Sequence, residues 1–235
     1  MHPRIVGRPP RGTPVSETLA FDTNALQKRP ARAFTLIELL VVIAIIGILV
    51  GLTVPSLFYV YERARKTQAK NDLTQIVNAV NAFYTDYGRY PLPTGNLCPA
   101  VASDTTYGPS AGTSNADLFY SLRAVTAGCN SLVNGAPAVN SRSIVFIAPR
   151  VSGAATARSG IASDGQYYDP WATPYNVEID GGYDNQITNP YPDAPGVNPL
   201  RFGVIGWSYG KDQTKGTKSP ASPNYGGSDD VISWQ

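Results

Sequence analysis

From Phe34 to Val54 the chain reads FTLIELLVVIAIIGILVGLTV, an almost wholly apolar run with one charge, Glu38, and with Lys28, Arg29 and Arg32 just before it. The 19 residues from Leu36 to Val54 would form a helix of about 28 Å, close to the thickness of the hydrocarbon core of a bilayer. From Ser56 onward the pattern narrows to one stripe. Leu73, Ile76, Val77, Val80, Phe83, Tyr84 and Tyr87 recur at three- and four-residue spacings, with Lys70, Asp72, Gln75, Asn78 and Asn81 assigned to the other face. Gly88 and then Pro91 end the pattern in the usual order. This predicts an N-terminal helix of some 50 residues, a membrane-spanning half over 34–55 and an amphipathic half over 56–89. Between the halves, Gly47, Gly51 and Pro55 make the weakest turn, because Pro55 has no N–H for the Gly51 carbonyl.

Residues 90–165 are rich in Gly, Ser, Ala, Pro and Thr and read as a long variable connection, with a short helix at Asp117–Val125 and a strand at Ser143–Ala148. In 166–235, Asn176–Ile179 and Phe202–Tyr209 read as strands of a small antiparallel sheet, so the expected class is α+β. Ahead of them, Asp169-Pro170-Trp171-Ala172-Thr173-Pro174-Tyr175 is a turn in which prolines fix two bends. Trp171 and Tyr175 are free to cover the sheet against the helical stripe.

Charge refines this picture through its position. A formal +2 is too mild to suggest nucleic acid as a partner. Residues 1–33 carry six basic side chains against Glu17 and Asp22 and show no helical or strand period, which predicts a disordered leader held in the cytoplasm and a C-terminal bulk outside. Arg63, Arg65, Lys66 and Lys70 beyond the span, offset by Glu62 and Asp72, weaken that asymmetry without reversing it. No A-x-A pattern stands directly after the apolar run, which continues into a helical pattern, so a secretory signal peptide is disfavoured. Cys98 and Cys129 are the only cysteines, and in an oxidising compartment an even pair in one loop-rich segment favours a disulfide. Enzymatic readings find little support. His2 is the only histidine, Gly210-Lys211 is followed by Asp212 and so makes no Walker loop, and Asp229-Asp230 are adjacent in a polar loop.

The run Arg32-Ala33-Phe34-Thr35-Leu36-Ile37-Glu38-Leu39-Leu40 closely resembles the start of type IV pilins and of the pseudopilins of type II secretion. That resemblance implies a pilin fold and a basic leader cut between Ala33 and Phe34 by a prepilin peptidase. It further implies N-methylation of the new amine of Phe34 and pairing of Glu38 with that amine on a neighbouring subunit. The family usually has Gly before the cut, where this chain has Ala33, and the stretch matching Pro55 loosens in its filaments. The Asp169–Tyr175 turn resembles the Asp-Pro-Trp-Gly-x-Pro-Tyr signature of the major pseudopilin, with Ala172 in place of Gly.

The C-terminal loop, from Ser208-Tyr209-Gly210-Lys211-Asp212 to Gly227-Ser228-Asp229-Asp230-Val231-Ile232-Ser233-Trp234, resembles the calcium loop of the same family. Calcium takes six to eight oxygens, which a glycine-rich loop closed by acids can supply. The resemblance places Asp212 and Asp230 as ligands, the Tyr209 and Val231 carbonyls as further ones and Asp229 as a spare acid. Lys211 and Lys215 close by and the insertion 215–225 depart from the family, and the bland alternative is a solvated loop whose acids balance those lysines.

The expected function is assembly in a type II secretion pseudopilus. Its partners would be further copies of the chain, the prepilin peptidase and methylase, an inner-membrane assembly platform and minor pseudopilins. The subunit would sit in the inner membrane with a periplasmic C-terminal domain. A type IV pilus subunit and a membrane-tethered binding domain are the alternatives.

Overall fold

The computed structural model describes residues 34–217 and 224–234. Ala33 and the rest of the basic leader lie outside them, as does the middle of the 215–225 insertion. Helix α1 spans Leu36–Tyr87, and the side chain of Pro55 within it is also outside the described set. The chain divides into two compact units after Val50.

In the first unit the described residues are the apolar turns of α1, where every large apolar side chain is 45 to 82 % exposed. A helix apolar on all sides offers no single face for a core to cover. It is long and apolar enough to cross a membrane.

In the second unit the later turns of α1 bury Ala69, Leu73, Ile76, Ala79, Val80 and Phe83. Gly88 ends the helix in the left-handed region, its N–H donating to the Tyr84 carbonyl at 2.8 Å. Among the described residues a second helix, α2 (Ala116–Leu122), and eight short strands follow: β1 (Thr105–Tyr107), β2 (Leu132–Val133), β3 (Ala136–Pro137), β4 (Gly160–Ile161), β5 (Tyr167–Tyr168), β6 (Asn176–Ile179), β7 (Val204–Ser208) and β8 (Val231–Ile232). The main sheet is antiparallel in the order β1-β6-β7-β8, and β2-β3 and β4-β5 form separate ribbons.

Strand alternation sorts the sheet's side chains between two cores. Val177, Ile179, Val204 and Val231 pack with Leu73, Ile76 and Phe83 of α1. Ile205, Trp207 and Ile232 pack instead with Ile187, Tyr191 and Leu200 from the connection between β6 and β7. That connection is closed on itself by Ile187 and Leu200, whose backbones exchange hydrogen bonds at 3.0 and 2.8 Å. The sheet is therefore covered on both faces, by α1 and by the 187–200 segment. Cys98 and Cys129 are joined in a disulfide with Cα atoms 5.5 Å apart.

The Asp169–Tyr175 turn locks the sheet to α1. Buried Asp169 accepts from the Trp171 and Thr173 N–H groups through Oδ1, both at 2.9 Å, and from the Ser208 hydroxyl on β7 through Oδ2 at 2.5 Å. Trp171 donates from Nε1 to Glu62 on α1 at 3.1 Å, and Tyr175 donates its hydroxyl to Asp72 at 3.0 Å. Both rings lie in the core under the helix. Burial pushes the Asp169 carboxyl up to about 6, against the pull of its three hydrogen bonds.

Several expectations are corrected. Residues 143–148 form no strand: Phe146 and Ile147 reach back to the Leu122 carbonyl at the end of α2, so their hydrogen bonds run to a helix terminus instead of a ladder. Asp72 is not on the solvent face but 8 % exposed, turned inward to Tyr175 and Ser159, and burial raises its carboxyl despite those bonds. The short helix occupies Ala116–Leu122, not 117–125. One sheet strand, β1, comes from the stretch read as connection.

Ala172 sits at φ +69°, the left-handed region that favours glycine. That is the position where the resembling signature has Gly. Ala172→Gly is expected to stabilise the second unit by about 1 kcal/mol, raising the melting temperature of the full chain by roughly 2 to 4 °C. Thermal unfolding in detergent checks this, and a lowered melting temperature would contradict the strained geometry.

Candidate functional site

Two places bring candidate residues together. At the start of α1, Thr35 and Glu38 satisfy one another reciprocally. The Thr35 N–H and hydroxyl both donate to Glu38 Oε2 at 2.9 Å, and the Glu38 N–H donates to Thr35 Oγ1 at 3.2 Å. This is the capping-box arrangement, which provides for N–H groups that the first turn of a helix leaves without partners. Phe34, one residue earlier, is 73 % exposed. The Thr-x-x-Glu spacing was the sequence signal for it. Glu38 thus has a local role at the helix start beside the intermolecular one that the resemblance implies.

The second place is the C-terminal loop, where carboxylate oxygens of Asp212, Asp229 and Asp230 lie within 4.8 Å of one another. Their approach follows from the sheet. Ser208 at the end of β7 pairs with Val231 at the start of β8, so the residues just after one strand meet those just before the other. Gly210 makes this meeting tight. It lies at φ +70°, and a Cβ there would fall 2.5 Å from the Asp229 carbonyl oxygen.

Each acid has a distinct setting. Asp229 clamps the turn through Oδ2, which accepts from the Lys211 N–H at 2.5 Å and the Asp212 N–H at 3.0 Å. Asp212 accepts from the Thr214 N–H at 3.0 Å. Asp230 is 5 % exposed; its Oδ2 accepts from the Tyr191 hydroxyl and from the Gly216 N–H, the latter at 2.8 Å. Its Oδ1 is buried with no hydrogen-bond partner among the described residues. Burial drives the Asp230 carboxyl up to about 6, with the Asp229 and Asp212 charges adding to the rise and its hydrogen bonds opposing it. Tyr209 and Val231, the expected carbonyl donors, are each 8 % exposed and border the same loop.

Lys215 bears on this cluster from above. Its ammonium lies 5.4 Å from the centre of the Tyr191 ring, and burial lowers its pKa while Glu178 and Asp230 pull it back up. Lys211 takes part through its backbone N–H. The chemistry available is a set of hard oxygen donors, one of them a buried carboxylate oxygen with no hydrogen-bond partner among the described residues, which is the donor type that hard cations take.

Two residues that shape the loop carried no sequence signal. Tyr191 donates to Asp230 from 39 residues away, and Asp193 accepts from the Tyr225 and Gly226 N–H groups at 2.6 and 2.8 Å. Both belong to the covering segment of the second core. Neither residue sits in a local pattern that says what it touches.

The prokaryotic N-terminal methylation motif matches residues 28–54. Among curated proteins, the chain is 42% identical over 80 residues to the type II secretion system core protein G of Aeromonas hydrophila, covering 34% of this chain and 56% of that protein. To the protein of the same name from Escherichia coli K12 it is 39% identical over 74 residues, 32% and 51% of the two chains. It is also 39% identical over 59 residues to the type IV major pilin protein PilA of Myxococcus xanthus, 25% of this chain and 27% of that one. The chain spans about half the length of the core G proteins it matches. No solved structure matches it.

With chelator present, Asp229→Ala should destabilise the chain by on the order of 1 to 3 kcal/mol, because two backbone N–H groups lose their acceptor. Asp229→Asn keeps one oxygen in place and should cost less than half as much. Denaturant unfolding of the two variants decides this. A loss well under about 1 kcal/mol in Asp229→Ala would mean that the clamp contributes little.

Proposed function

We propose that this chain, a type IV pilin-like protein by its N-terminal motif and its relatives, is a structural subunit of a type II secretion pseudopilus. Its role is assembly, not catalysis. A prepilin peptidase removes residues 1–33 by cutting between Ala33 and Phe34, and the freed amine of Phe34 is methylated. Copies then stack through the apolar turns of α1 into a homo-oligomeric filament that drives export of folded proteins. The subunit waits in the inner membrane with its leader in the cytoplasm and its C-terminal domain in the periplasm. An inner-membrane assembly platform, minor pseudopilins and the peptidase are its partners.

The observation that carries this reading is one acid at the start of a helix otherwise apolar to Val54, inside the methylation motif. A carboxylate among hydrocarbon is costly unless paired. The Phe34 amine of a neighbour supplies the opposite charge and sets the register between copies. Pro55 gives the helix a turn that can open when copies pack. A type IV pilus subunit is the second reading, supported by the similarity to the Myxococcus xanthus pilin.

Calcium is the proposed ligand of the C-terminal loop. Asp212 and Asp230 hold it with the Tyr209 and Val231 carbonyls, and Asp229 supports them by fixing the Lys211–Asp212 turn. The unsatisfied buried oxygen of Asp230 is the observation in favour. Bound, the ion supplies positive charge that ties the strand ends together.

Two tests follow. Glu38→Leu should leave membrane insertion intact and abolish filaments, as judged by membrane fractionation and electron microscopy; filaments formed as well by the variant would overturn the role of Glu38 in register, and a chain that functions with no filaments in either form would be a merely tethered domain. Calcium at 100 times its Kd should stabilise the full chain by about 2.7 kcal/mol, a rise of roughly 5 to 10 °C in melting temperature that EDTA reverses and Asp230→Asn removes. A melting temperature indifferent to both would leave a solvated loop.

A further inference from the structure

Beyond the apolar turns, one side of α1 carries Arg63, Lys66, Thr67 and Lys70, spacings that a helix places in a single patch. Across from them lies the turn Gly226-Gly227-Ser228, and together they wall a cleft of about 670 Å³. Its basic groups outnumber its one carboxylate, Asp230. The ion pairs among the described residues are Glu62–Arg65 and Asp86–Arg142, which involve neither Arg63 nor Lys66. Lys70 donates from Nζ to the Ile232 carbonyl at 2.8 Å at the inner end of the cleft, and burial lowers its pKa.

A second observation says where this cleft works. Leu57, Phe58, Tyr59, Val60 and Tyr61, the five residues before Glu62, are 61 to 71 % exposed. Exposed aromatics in such a run are unfavourable in water but suit the boundary between hydrocarbon and headgroups. The basic residues reach over the same rings: the Arg63 guanidinium carbon lies 5.8 Å from the Tyr59 centroid and that of Arg65 4.8 Å from Tyr61. Arg63 follows Val54 by nine residues, about 13 Å of helix, which brings a long basic side chain within reach of headgroup phosphates.

We infer that the Arg63–Lys66–Lys70 cleft beside Gly226–Ser228 binds the phosphate of an anionic phospholipid while the subunit is held in the membrane. The inference rests on the membrane-anchored reading of α1. Arg63 and Lys66 supply charge-assisted hydrogen bonds to the phosphate, Lys70 adds positive charge at the base, and the aromatic run packs on the glycerol and upper acyl region. Withdrawal into a filament must then release this lipid, so membrane composition sets part of the barrier to assembly.

The full chain in detergent micelles, titrated with phosphatidylglycerol, phosphatidylcholine or inorganic phosphate and read by native mass spectrometry, tests this. Phosphatidylglycerol adducts should exceed phosphatidylcholine adducts about tenfold, a difference of about 1.4 kcal/mol. The double variant Arg63→Gln/Lys66→Gln should abolish the preference with its melting temperature unchanged, and the charge-matched Arg142→Gln/Arg201→Gln should keep it. Equal binding of the two lipids, equal loss in both double variants, or inorganic phosphate binding as well as the lipid would each overturn the lipid site. A chain that stays soluble without detergent would instead overturn the membrane-anchored reading itself, an outcome that fractionation separates from the others.

Discussion

A single carboxylate at the head of an apolar helix constrains everything else in this protein. Placed among side chains that offer nothing but hydrocarbon, Glu38 must find donors. The Thr35 N–H and hydroxyl provide two of them locally. Neutral donors satisfy the oxygen without cancelling its charge, and that leaves a place for a cation from another molecule. The same helix then changes character. Up to Val54 it is apolar on all sides, and from Ala69 to Phe83 it presents one buried stripe. The second half thus finds its partner in the sheet of its own unit, while the apolar side chains of the first half are exposed among the described residues.

The second unit is built so that this helix can serve as a mount. The Asp169–Tyr175 turn fastens the sheet to α1 at Glu62 and Asp72 through two aromatic side chains, and Asp169 ties the turn to β7. On the far face, the 187–200 segment closes a second core and sends Tyr191 and Asp193 to the C-terminal loop. The acidic cluster therefore stands where two strand ends and a covering loop converge. On the proposed reading a cation there joins all three and ties this edge of the sheet together.

Much of this was legible in the residues. The helical stripe, its end at Gly88, the strand Asn176–Ile179 and, within a residue or two at each end, the strand read as Phe202–Tyr209 and observed as Val204–Ser208 follow from local periodicity, and local periodicity is what sequence carries best. The convergence of Asp212 with Asp229 and Asp230 was legible because the resembling family placed it, and β7–β8 pairing explains it. What escaped depends on distant partners. Asp72 has the composition of a surface residue and is buried only because Tyr175, more than a hundred residues later, meets it. Val145, Phe146 and Ile147 have strand composition, but the N–H groups of Phe146 and Ile147 go to the Leu122 carbonyl at the end of α2. Tyr191 gave no sign of its role, since nothing in Pro-Tyr-Pro points to an aspartate in a different loop.

The account stands or falls on whether a freed amine at Phe34 exists to meet the lone acid of a neighbouring helix. Mass spectrometry of the protein isolated from its native membrane reads this directly. The predicted result is a chain beginning at Phe34 and heavier by one methyl group. A functional chain still carrying its leader from Met1 would contradict it.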